Sequence, residues 1–136
     1  MPSSPNEPIW LTADDLIETN KDEVSETGES HLLRDRGLAE MAAHRPQNIY
    51  WYEGERDVVR LGLHLLMGVA QNHAFEQGNK RTALTAALMF IEANGYALDL
   101  GEDTTWLGEL VLAVIEHNAD LEQLEQAIRG CVVDPS

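Results

Sequence analysis

The apolar positions of this chain recur mostly at helical spacing. From Arg56 to Asn72 two apolar stripes run side by side, Val58, Leu61, Leu65 and Val69 beside Val59, Leu63, Leu66 and Ala70. A helix apolar on more than one side is a buried helix. After a short polar stretch the period resumes, with Leu84, Leu88 and Ile91 on one stripe and Ala83, Ala87 and Phe90 next to it. The small alanines admit a neighbouring helix closely, and Asn94-Gly95 supplies a stop. These two helices are expected to pack as a central pair that displays the intervening segment at one end.

Weaker patterns flank this pair. Thr12 followed by Asp15 reads as a helix N-cap with an acid three positions on, which predicts a thinly apolar surface helix from Ala13 to about Glu26, closed by Gly28. Gly37 opens a short helix expected to stop before Pro46, because the residue preceding a proline is driven out of the helical region. Asn48 to Gly54, NIYWYEG, then reads as an aromatic loop. Beyond Gly95, Tyr96 to Leu100 is a candidate extended segment. Trp106, Leu107, Leu110, Val111 and Val114 mark one amphipathic helix, and Leu121, Leu124, Ile128 and Cys131 mark a last one. The expected fold is all-α, about six helices in one domain over residues 9–132, with a flexible arm at 1–8 and a tail at 133–136. His64 inside the buried helix and His117 near a helix end read as structural.

Composition narrows the function classes. A chain of 136 residues can bury a core without staples, and its one cysteine, Cys131, forms no internal disulfide. No apolar run reaches membrane-spanning length and the N-terminus lacks a signal pattern, so the expectation is a cytoplasmic protein with no membrane partner. The formal net charge of −15 argues against nucleic acid as a partner. Within Gln71 to Thr82, however, Lys80 and Arg81 outweigh Glu76, giving a local +1 against −16 elsewhere.

That segment, QNHAFEQGNKRT, holds the candidate chemistry. Gly78 at a loop-to-helix junction turns backbone N–H groups outward. The helix start adds unsatisfied donors and partial positive charge, and Lys80 and Arg81 add full charges, so the junction suits phosphate. His73 is the side chain there whose ordinary pKa suits proton transfer near neutrality. The plainer reading is a structural histidine and a basic pair at a helix start.

His73, Phe75, Gly78, Asn79 and Arg81 also resemble the H-x-F-x-[D/E]-G-N-x-R signature of Fic/Doc proteins, and Lys80, Thr82 and Ala83 resemble its Doc (death-on-curing) branch of toxins. The resemblance extends over roughly Leu11 to Cys131, with a flap for the target peptide at about Asn48 to Gly54. It implies a toxin of a toxin-antitoxin pair that transfers the terminal phosphate, or AMP, from ATP to a hydroxyl of a target protein, a component of translation being one candidate. A cognate antitoxin would restrain it. His73 would be the base. Gly78 and Asn79 would hold phosphate oxygens, and Arg81, assisted by Lys80, would neutralise developing charge. The sequence departs at Gln77, where the family carries an acid that holds Mg²⁺. A neutral amide is a weaker ligand for a hard dication, and Glu76 is the neighbouring substitute. Two functions follow from this departure: an active Doc-like transferase weakened by Gln77, or an inactive Fic-fold module that binds nucleotide or protein.

Overall fold

The computed structural model describes residues 7–133, so most of the expected arm and tail lies outside the described residues. Six helices appear in order: α1 (Ala13–Glu26), α2 (Arg36–Glu53), α3 (Val58–Asn72), α4 (Asn79–Ala93), α5 (Thr105–Ile115) and α6 (Leu121–Cys131). The only paired strands among the described residues are β1 (Ala97–Leu98) and β2 (Val132–Val133), antiparallel with Ala97 opposite Val133. The fold is therefore all-α, as expected. Val133, assigned to the tail, is tied into that ladder.

The two apolar helices do form the central pair. α3 packs most extensively on α4 and on α2. Both its stripes are buried apart from partly buried Val58. Ala83, Ala86 and Ala87 are fully buried, and the Cβ of an alanine at Gly62 would stand 3.0 Å from Ile91, which shows how closely α3 and α4 approach. Asp57 caps the start of α3 by accepting the Arg60 N–H at 3.2 Å and also pairs with Arg129 of α6 at 2.7 Å, so one carboxylate opens a helix and fastens the C-terminal helix to it.

α1 carries the expected capping box, with Thr12 and Asp15 exchanging side-chain-to-backbone bonds at 2.8 and 3.1 Å. It is less superficial than its sparse apolar content suggests. Leu16, Thr19, Asn20 and Val24 are buried, two of them polar, as α1 packs on α4 and α2.

The largest departure is α2. The helix does not stop before Pro46 but continues to Glu53, where left-handed Gly54 (φ 75°) ends it. Residues 48–53 are thus its last turns, and no aromatic loop or flap stands there. An interior proline costs about 3 kcal/mol, and burial of a stripe outweighs it. Ala39, Ala42, Ala43, Pro46 and Tyr50 face the core, and the Tyr50 ring lies between Trp10, edge-on at 5.5 Å, and the Arg56 guanidinium 4.4 Å above it. The segment that lies along the motif loop is residues 32–35. Leu33 bridges Phe75, Arg34 N–H donates to the Ala74 carbonyl at 2.7 Å, and Glu76 N–H donates to the Leu32 carbonyl at 3.0 Å.

Candidate functional site

The loop between α3 and α4 is set by two left-handed residues. His73 closes α3 at φ 52°, and Gly78 opens α4 at φ 77°. At Gly78 a side chain would be strained by the backbone and obstructed as well, since a Cβ would lie 2.9 Å from Val24 Cγ1 and 3.2 Å from Asn20 Nδ2. Gly78→Ala is expected to lower stability by about 1–3 kcal/mol, read as a fall in the urea midpoint at unchanged slope.

His73, Glu76, Gln77, Gly78, Asn79, Lys80 and Arg81 line one cleft of about 300 Å³, so all the expected site residues come together. The first bond of α4 runs from Thr82 N–H to the Gly78 carbonyl at 2.8 Å. The N–H groups of Asn79, Lys80 and Arg81 therefore have no helical partner and carry the positive end of the helix dipole. Lys80 is exposed and forms no ion pair among the described residues.

Two side chains have tasks that sequence alone did not reveal. The Asn79 amide, expected to donate to phosphate, braces the loop: it donates to the Phe75 carbonyl at 2.8 Å and accepts the Phe75 N–H at 3.2 Å. What remains for a ligand is its backbone N–H and one amide hydrogen. Phe75 is 1 % exposed and seats the loop in the core. Arg81, for its part, is occupied by Glu29 and by Thr27, whose hydroxyl accepts from Nη1 at 3.1 Å. The Thr27 hydroxyl and then the Arg81 guanidinium hold the Glu29 carboxyl below its ordinary pKa. The pair is intact at neutral pH and is lost only as pH falls through that lowered value.

A polyphosphate entering the cleft competes with Glu29 for Arg81. Glu29→Gln is therefore expected to raise ATP affinity about three- to tenfold in calorimetry at low salt, with the gain shrinking as salt is added. An unchanged or weaker affinity would show that Arg81 does not meet the phosphates.

The cleft offers hard oxygen donors for a divalent cation, but few. Glu76 is its one carboxylate and is paired with Arg34 at 3.1 Å; Gln77 contributes an amide oxygen. Among the described residues no group of three or more His, Cys, Asp and Glu side chains gathers as a metal set. This donor set fits Mg²⁺ held jointly with phosphate oxygens and water, and does not fit an all-protein cage. Outside the cleft, His64 is half-buried and its pKa is lowered by burial and then by Arg45, as suits a structural residue. His117 sits at φ 63° and caps α5 through its backbone N–H to the Val114 carbonyl at 3.1 Å.

No helix among the described residues is long and apolar enough to cross a membrane. The chain is similar to Toxin Doc of Mycolicibacterium smegmatis, 33% identical over 99 residues that cover 72% of this chain and 76% of the relative. It is also similar to Protein kinase doc of Escherichia phage P1, 33% identical over 85 residues covering 62% and 68%. The profile of the Fic/DOC family matches residues 10–91, which run from just before α1 to Ile91 near the end of α4 and contain the whole cleft. On the strength of that match and of these two relatives, the chain belongs to the Fic/DOC family, in its Doc branch.

Proposed function

We propose that this protein is a Doc-like toxin that transfers the terminal phosphate of ATP to a hydroxyl of a target protein. The observation that carries the reading is the convergence of His73, the free N–H groups of α4 and Lys80 in one cleft. The names of the two relatives, a toxin and a protein kinase, favour kinase chemistry over transfer of AMP.

In this reading His73 accepts the proton of the attacking hydroxyl as its oxygen bonds to the γ-phosphorus and the bond to ADP breaks. The N–H groups of Asn79, Lys80 and Arg81 and the Lys80 ammonium hold the phosphate oxygens, and Arg81 joins them once released from Glu29. Glu76 and Gln77 would hold Mg²⁺, which when bound supplies charge neutralisation between adjacent phosphates. The target is a protein with an exposed serine or threonine, a translation factor being the first candidate. A cognate antitoxin is the partner that restrains transfer.

Incubation with ATP labelled separately at the α- and γ-phosphates, with Mg²⁺ and a bacterial extract, tests the proposal. Protein-bound γ-label is expected. Protein-bound α-label would replace the kinase reading by AMP transfer. Absence of both, persisting in Glu29→Gln and Gln77→Asp, would establish a non-catalytic binding module, the reading that neutral Gln77 favours.

A further inference from the structure

Leu16, Asn20 and Val24 form one stripe of α1 at four-residue spacing, and all three are completely buried. The outer two are apolar. An amide in the middle of such a stripe is a poor helix former and costs free energy when buried without partners. Here every amide hydrogen is used: Asn20 Nδ2 donates to the Gln77 carbonyl at 2.8 Å and to Thr82 Oγ1 at 3.1 Å. Oδ1 lies 2.9 Å from His31 Nδ1. One side chain thus ties α1 to the motif loop, to the first turn of α4 and to His31, which leads into the segment that runs along the loop.

The bond to Gln77 has a directional consequence. The Gln77–Gly78 peptide is trans and planar, so its carbonyl and its N–H point in opposite directions. With the carbonyl pinned inward against buried Asn20, the Gly78 N–H is turned away from the core, on the residue that lines the cleft. A flip of this one peptide would present a carbonyl oxygen in its place and repel an anion.

We infer that Asn20 is a positioning residue whose amide fixes the orientation of the Gln77–Gly78 peptide and so makes the cleft receptive to phosphate. The inference deepens the functional reading above and rests on it for the identity of the ligand, but the orientation of the peptide can be tested without any ligand. Thr82 marks the contrast, because its hydroxyl meets the same amide while its backbone stays in α4 whether or not that bond is made.

The test uses isotope-labelled full-length protein. In the wild type, coupling through the hydrogen bond between the Asn20 side-chain nitrogen and the Gln77 carbonyl carbon is expected in NMR spectra; its absence would overturn the inference. Asn20→Leu makes the stripe apolar throughout and is expected to shift the Gln77 and Gly78 backbone resonances while leaving those of α5 in place. It is also expected to weaken ATP binding about tenfold or more. Thr82→Val is expected to do neither. Unchanged Gln77 and Gly78 resonances in Asn20→Leu, or equal losses of ATP affinity in both variants, would sink the inference. If the wild type binds no ATP, the ligand-free resonances still decide the role of Asn20, and the proposed function fails by itself.

Discussion

His73→Asn is expected to cut phosphate transfer by a factor of about 10² to 10⁴ while leaving ATP affinity within about threefold of wild type. Asparagine tolerates the left-handed backbone of position 73 better than other side chains, so the folded loop survives while the imidazole is lost. In the proposed reading the phosphate-holding N–H groups and Lys80 belong to α4, and His73 belongs to the end of α3. Binding and proton transfer are thus supplied by different elements and should separate. Single-turnover transfer read beside calorimetric ATP binding distinguishes the cases. Loss of both in equal measure would make His73 a structural residue and leave the site without a base.

Gln77→Asp is expected to act in the opposite direction, raising Mg²⁺-dependent ATP affinity about tenfold or more and the transfer rate by up to about three powers of ten. The Gln77 side chain is exposed and lines the cleft, while its carbonyl is held by Asn20 on the other side. Replacing the side chain therefore adds a carboxylate without disturbing the peptide. It also relieves Glu76, whose carboxylate is shared with Arg34. Titration with ATP in the presence of Mg²⁺ and of a chelator checks the prediction. A gain that persists in chelator would mean that the added carboxylate acts on the fold and not through the cation.

What could be read in the sequence followed from periodicity and from local backbone chemistry. The doubled stripes of α3, the alanine-rich face of α4, the Thr12–Asp15 capping box and the Asn94-Gly95 stop are local signals, and each appears where expected. The gathering of His73 through Arg81 in one cleft was equally legible, because both ends of the loop are fixed by the helices that flank it. The misreadings arose where tertiary burial overrode a local rule. Pro46 should have ended α2, but the stripe from Ala39 to Tyr50 keeps it helical, which removed the supposed loop at 48–54 and left residues 32–35 beside the motif. Asn20 and Glu29 were missed because the partners that tie them to the site, Gln77 and Arg81, are more than fifty residues away. For Asn20 a faint signal existed: an amide interrupting the spacing from Leu16 to Val24. For Glu29 none did.

The left-handed conformation of His73 carries a further consequence. Glycine at that position, as at left-handed His117, would adopt the same backbone angles without the steric conflict between Cβ and carbonyl, so selection for heat resistance alone favours replacing both side chains. With His73 as the proposed base, thermostability and proton transfer pull against each other at its Cα. A library of this chain screened solely for survival on heating should enrich for glycine at residues 73 and 117, and in the proposed reading the first of these changes removes the base.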